Sequence, residues 1–288
     1  MSNTEIDLTT GVFAMVLGAA FLHAAWNALV KVNADRLIMV AIMMISQAAV
    51  AILALPFVEF PTSASWPYIW ASTALHTAYF VFLVMAYRYG DLSHVYPIAR
   101  GSAPLIVAVV SVVIVGETLN RQATLSVFLV GLGIMSLTLT RGASGFREPK
   151  AILYALGTGV FIAGYTVVDG LGARLSDSAH SYIFWLNIFD GIPITILAFC
   201  LRRDQILVQV RTSWKLGVLA GIVSLLAYWV VIWAMTLAPL ALVSAVRETS
   251  MVFAVLFGVF FLKERLNLAR LASTTITLLG AVMLKTSR

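Results

Sequence analysis

Residues 95–120 read VYPIARGSAPLIVAVVSVVIVGETLN, and residues 242–267 read LVSAVRETSMVFAVLFGVFFLKERLN. Each is an apolar run of membrane-crossing length, interrupted near its start by one arginine and closed by a glutamate and a Leu-Asn pair. A shift of 147 residues superposes them without a gap: Arg100 falls on Arg247, Glu117 on Glu264, Leu119 and Asn120 on Leu266 and Asn267, and further on Gly133 on Gly280. Apolar residues match by composition alone, but a shared charge inside the run and a shared polar terminus do not, so the chain reads as a duplication. Earlier in the halves the register becomes 139, pairing Ala24 with Ala163 and Trp26 with Tyr165.

Outward from this pair, the same kind of stretch recurs over residues 9–31, 36–58, 65–88, 122–140, 150–173, 178–201, 213–236 and 267–284, with 92–115 and 240–262 covering the two quoted runs. Each approaches the ~20 residues that a helix rising about 1.5 Å per residue needs to cross ~30 Å of hydrocarbon. Hydrophobic residues make up 61% of the 288 and charged residues 11%, too little polar surface to solvate a soluble domain of this size. Lipid offers backbone groups no partner, and the period-2 alternation of a membrane barrel is absent, so the spans are expected to be helices. Five spans per half is an odd number, which inserts the second half upside down relative to the first. The expected fold class is an all-α integral membrane protein of ten transmembrane helices in two inverted five-helix repeats, residues 1–141 and 150–288, joined by a polar linker at 142–149.

Composition also narrows the chemistry. Met1 to Thr10 carries Glu5 and Asp7 but no Lys or Arg, so it lacks the basic leader of a cleaved signal peptide and the first span is expected to stay. The single cysteine, Cys200, permits no intramolecular disulfide and no cysteine-built metal site. The net charge of +6 is spread singly over short loops, a pattern that suits anionic lipid headgroups and not nucleic acid. The sequence contains no H-E-x-x-H and no G-x-x-x-x-G-K, so no metal, cofactor or ATP is expected. Thirteen Lys and Arg fall in odd-numbered loops against four in even loops and tails, which by the positive-inside tendency places both termini outside.

Moving a small polar solute through lipid requires charges and dipoles in a central cavity, so candidate residues are ionisable or aromatic groups within spans. Arg100 and Arg247 stand about eight residues into matching spans, roughly 12 Å deep. They are read as a carboxylate or phosphate clamp, with Glu248 either receiving a substrate amine or neutralising Arg100 across the pseudo-twofold axis. His76 and Tyr79 share one helix face, Tyr96 precedes Arg100 by a turn, and Trp26 with Asn27 matches Tyr165 in the other half. Trp229 and Trp233 complete the candidate lining, whereas Trp66, Tyr68, Trp70 and Trp214 near span ends suit an interfacial belt. Asp169 and Asp190 are candidates for proton coupling or for plain hydrogen bonding between helices. Pro97 and Pro104 each remove a helix hydrogen bond and are candidate hinges. Glu117 and Glu264 are read as structural, holding nearby basic residues such as Arg121 and Arg265 or local backbone.

With the 5+5 duplication, the short loops, the G-E-T-L run at Gly116 to Leu119 and its counterpart K-E-R-L at Lys263 to Leu266, the chain resembles the EamA branch of the drug/metabolite transporter superfamily over essentially its whole length. The resemblance implies a secondary transporter in a bacterial inner membrane that exports small metabolites. Amino acids are prominent among these, and the aromatic amino acid exporters are the nearest functional type. Members are often drawn with cytoplasmic termini, opposite to the charge count. Organic anions or phosphorylated metabolites are an alternative substrate class. The rival class is an intramembrane aspartyl protease built on Asp169 and Asp190, although the G-x-G-D order expected of one is missing. Lipid and a small-molecule substrate are the expected partners.

Overall fold

The computed structural model describes residues 8–31, 35–141, 148–203, 206–260 and 268–287. Within them lie α1 (Thr10–Lys31), α2 (Arg36–Ala54), α3 (Trp66–Tyr89), α4 (Leu92–Val110), α5 (Arg121–Met135), α6 (Pro149–Leu175), α7 (Ala179–Arg202), α8 (Ile206–Met235), α9 (Leu240–Arg247), α10 (Ser250–Phe260) and α11 (Leu268–Thr286). These make ten candidate membrane spans, α9 and α10 together forming the ninth, and no strand occurs among the described residues. Most of the linker and the K-E-R-L run lie outside the described residues.

Burial is inverted relative to a soluble protein. Val113, Ile114, Leu153, Val208, Phe260 and Leu268 point outward, while Arg100, Asp169, Arg247 and Glu248 are buried between helices. Only a hydrocarbon solvent makes that arrangement favourable, because it removes the penalty on exposed apolar side chains and imposes one on exposed charge. The eighth span begins at Ile206, seven residues before its expected start at 213. At 30 residues α8 is about 45 Å long, more than the ~30 Å of hydrocarbon it has to cross, and its first turns carry Arg211 and Lys215. Lys215 Nζ stands 5.8 Å from the Trp214 ring centroid, consistent with the interfacial reading of that tryptophan.

Helix neighbours follow the duplication. The α3–α6 contact is matched by α8–α1, α2–α8 by α7–α3, and α4–α6 by the contacts of α9 and α10 with α1, while α2–α7, α5–α11 and α4–α9 are their own counterparts. The α5–α11 seam keeps the 147-residue register at its closest backbone approach. A Cβ on Gly133 would lie 2.9 Å from Thr277 N, and one on Gly280 would lie 2.9 Å from Val130 N, and residues 130 and 277 are themselves a repeat pair. Glycine lets the two backbones meet, which is how membrane helices associate when lipid supplies no hydrophobic drive between them.

This packing sets an expectation for stability. Gly280→Ala must displace backbone of α5 and is expected to lower thermal stability in detergent, at a cost of about 1–3 kcal/mol. Gly18→Ala, whose Cβ meets nothing within 4 Å, is expected to be neutral or slightly stabilising. Equal melting temperatures for the two variants would remove the seam as a determinant.

Candidate functional site

The G-E-T-L-N run resolves into a set of separate structural tasks. The fourth span ends in a π-turn, Ser111–Val115, and Gly116 follows with φ of 80°, the left-handed conformation glycine adopts at least cost. That reversal turns Glu117 inward. Leu119 packs on the core, and Asn120 Oδ1 caps α5 by accepting from Ala123 N at 2.7 Å. The basic partner of Glu117 is Arg174 and not the expected Arg121: Arg174 Nη2 lies 2.8 Å from Glu117 Oε1. Both Glu117 oxygens also accept from Leu240 N, at 3.1 and 2.9 Å, capping α9 from another span. Arg174 further donates to Met235 O and Ala238 O, at 2.8 and 3.1 Å.

At the far end of α9 lies the charged centre. Arg100 on α4 and Arg247 on α9 are 4% and 3% exposed and Glu248 is 0% exposed, so neither guanidinium faces acyl chains or headgroups. Arg100 Nε stands 2.8 Å from Glu248 Oε2, and Arg247 Nη2 stands 3.3 Å from Glu248 Oε1. One carboxylate thus spans both cations. Ser250 Oγ accepts from Arg100 at 3.4 Å and Thr166 Oγ1 from Arg247 at 3.3 Å. Among the described residues Arg247 Nε–H has no hydrogen-bond partner, and the Arg100 Nε–Glu248 Oε2 contact lies outside hydrogen-bonding alignment. As ionised groups the three residues sum to one positive charge, with donors to spare.

The ninth span breaks at this point, where an unbroken helix over 240–262 was expected. Neither proline nor glycine causes the break; between Val246 and Val252 the backbone tightens into three-residue turns, Thr249 N to Val246 O and Val252 N to Thr249 O, and Thr249 Oγ1 takes Val246 O at 2.7 Å. In contrast α4 stays helical through Pro97 and Pro104. Pro104 nevertheless removes the N–H that would bond the Arg100 carbonyl.

A layer of rings adjoins the charges. His76 stacks on Tyr165 at 4.0 Å between centroids, with Tyr79 and Tyr228 edge-on to Tyr165 at 5.9 and 6.4 Å. Tyr79, Tyr96 and Tyr165 lie within electrostatic reach of Arg100, and His23 within reach of both arginines. Beyond the rings, Asp169 accepts from Tyr182 at 3.0 Å and, through a short contact, from Tyr228. Asp190 Oδ1 lies 3.9 Å from His76 Nδ1, which also touches the Ser72 hydroxyl and carbonyl, each at 3.1 Å. Trp26 meets His23 edge-on at 5.0 Å and its buried Nε1 has no hydrogen-bond partner. Asn27 donates to the His23 carbonyl of its own helix at 2.7 Å. Trp229 donates to His180 Nδ1 at 2.7 Å, and Trp233 lines a cleft of about 590 Å³ with Arg174, Asp177, His180 and Thr236, so both stand at the even-loop face. Among the described residues no three His, Cys, Asp or Glu side chains converge on a metal-sized position.

Sequence reasoning did not single out Tyr182, Ser72, Thr166, Ser250 or the pairing of Arg174. Tyr228 has a signal in the sequence, since with Trp229 and Trp233 it makes an aromatic strip at helical spacing on one span.

The family model for the EamA-like transporter family matches twice, over residues 9–139 and 149–286. The chain belongs to the EamA-like transporter family. An uncharacterized transporter of Archaeoglobus fulgidus is 26% identical to this EamA-like chain over 212 residues, 70% of this chain and 73% of that protein. A crystal structure superposes with a TM-score of 0.80 at 16% identity, covering 97% of this chain and 99% of the other, a likeness of fold. This EamA-like protein is therefore a multi-pass membrane transporter with a charged centre at the matched arginines of its two halves.

The shared carboxylate gives an energetic expectation. Glu248→Gln leaves two buried guanidiniums facing each other and is expected to lose about 3–5 kcal/mol of stability, more than Arg100→Gln alone. Adding Arg100→Gln to Glu248→Gln is expected to restore part of the loss, a non-additivity readable in a double-mutant cycle of detergent melting temperatures. Additive losses would separate the three groups.

Proposed function

We propose that this transporter exports small carboxylate-bearing metabolites, amino acids foremost and aromatic or broad in side-chain range, by alternating access in a bacterial inner membrane. The observation that carries the reading is the buried Arg100–Glu248–Arg247 cluster, with its excess positive charge and unfilled N–H groups. A substrate carboxylate supplies the missing charge and accepts from Arg247 Nε and Arg100 Nε. Glu248 competes for the same donors, which keeps binding weak enough for release. Its Oε2, without a hydrogen-bond donor of its own, is an acceptor for an amine.

The His76, Tyr79, Tyr96 and Tyr165 rings then form the wall for an apolar side chain, with Trp26 and Asn27 on α1 and with Trp229 and Trp233 at the approach. Asp190 is the better of the two proton-coupling candidates, because both oxygens of Asp169 are held by tyrosine hydroxyls and the Asp190 contact with His76 is longer than a hydrogen bond. Pro97 and Pro104 bracket Arg100 and give α4 a place to bend.

Counterflow into proteoliposomes, across a panel of radiolabelled amino acids and their deaminated analogues, tests this reading. Uptake of at least one carboxylate-bearing solute is expected, and Arg247→Gln or Arg100→Gln should weaken it about tenfold or more, the effect of one lost charge-assisted hydrogen bond of about 1.5 kcal/mol or more. Unchanged uptake in either variant would remove that arginine from the clamp. Uptake confined to deaminated analogues would replace amino acids with organic anions. Trp26→Ala is expected to shift side-chain preference, and an unaltered profile would take Trp26 out of the wall.

A further inference from the structure

We propose that Glu117 and Arg174 form a latch that positions the charged centre from a distance and must part for the even-loop face to open; the idea rests on the alternating-access reading above. The pair joins four elements at one membrane face: the turn after α4, the end of α6, the end of α8 and the start of α9. Arg174 takes the otherwise unpaired carbonyls of Met235 and Ala238, and Glu117 takes the Leu240 N–H that opens α9. A carboxylate at that terminus also complements the helix dipole.

What makes this more than a cap is the shape of α9. It is a rod of eight buried residues, separated from α8 by Pro239 and from α10 by the turns at Glu248 and Thr249. At about 1.5 Å per residue, a shift at Leu240 is delivered roughly 10 Å away at Arg247. The latch therefore determines how Arg247 and Glu248 meet Arg100. It also lies between the even-loop cleft, which Arg174 lines, and the charged centre two turns deeper. Both members are only partly buried, with side-chain exposures of 20% for Arg174 and 11% for Glu117, so water can resolvate them when the pair separates. A fully buried pair would open at far greater cost.

Accessibility to a membrane-impermeant maleimide in proteoliposomes reads the latch independently of any substrate. In a Cys200→Ser background, Ser244→Cys places a thiol on α9 at a site that is fully buried while the latch is closed, and Thr236→Cys places one in the cleft outside it. Glu117→Gln and Arg174→Gln are each expected to speed labelling at 244 about tenfold, the population change that about 1.4 kcal/mol produces, and to leave labelling at 236 within about twofold. Equal rates at 244 with and without the pair would overturn the proposal. Should either variant fail to fold, Glu117→Cys with Arg174→Cys, joined by a bifunctional methanethiosulfonate, decides the matter. Counterflow is expected to stop on cross-linking and return on reduction, and full activity in the cross-linked protein would overturn the latch. Absence of counterflow for every solute in the parent protein would defeat the transport reading instead, leaving the labelling result to judge the latch.

Discussion

One carboxylate shared by two guanidinium groups in the middle of a lipid-solvated bundle is the constraint on which the rest depends. Each charge alone would be prohibitive there, and each pair alone would leave a cation unmatched. Glu248 touches both, and to do so it sits where the ninth span leaves regular helix. The break is thus part of the charge arrangement. It frees a short rod, α9, whose two ends are held by carboxylates: Glu117 at its first N–H and Glu248 directly after its last residue.

Duplication explains why the cluster exists and divergence explains why it is not symmetric. The 147-residue register puts arginine at 100 and at 247, but opposite Glu248 it puts Gly101. A Cβ at 101 would lie 2.6 Å from Gly131 O and 3.0 Å from Met135 N, so the packing of α4 on α5 leaves no room for an acid there. Two arginines and one glutamate are the outcome. The same register keeps Gly133 and Gly280 together at the α5–α11 seam, where close backbone approach is needed on both sides. Where the halves do the same mechanical task they kept the same residue, and where one half had to seat α5 it lost the position for a charge.

The chemistry around the charged centre is layered. A positively charged end, Arg100 with Arg247 and Glu248, gives way to the stacked pair His76 and Tyr165 with its edge-on tyrosines, and then to Asp169 and Asp190. Asp169 is braced by hydroxyls of Tyr182 and Tyr228 from two other helices. Its hydrogen bonds tie α6 to α7 and α8 close to the rings, so it braces three helices against one another whatever else it does. Among the described residues Asp190 shows no such bracing, and its Oδ1 lies 3.9 Å from His76 Nδ1. Tyrosine bracing at one acid and not at the other separates residues of identical type into a structural and a reactive candidate.

What the sequence by itself determined was everything that lipid enforces: ten apolar spans of helical length, their inverted pairing, and the identity of Arg100 and Arg247 as charges too costly to be accidental. These are legible because the cost is local, paid residue by residue along one helix. Tertiary structure decided who answers those charges. The partnership of Glu117 with Arg174 joins residues 57 positions apart, and Arg174 at the end of α6 reads in sequence like any span-end cation. The break at Glu248 carries no proline or glycine to announce it; it coincides with the place where Glu248 meets its own neighbour Arg247 and the distant Arg100. Contacts between helices depend on rotation and depth within the bundle, and those are set by packing across the two halves, which no periodicity along one span contains.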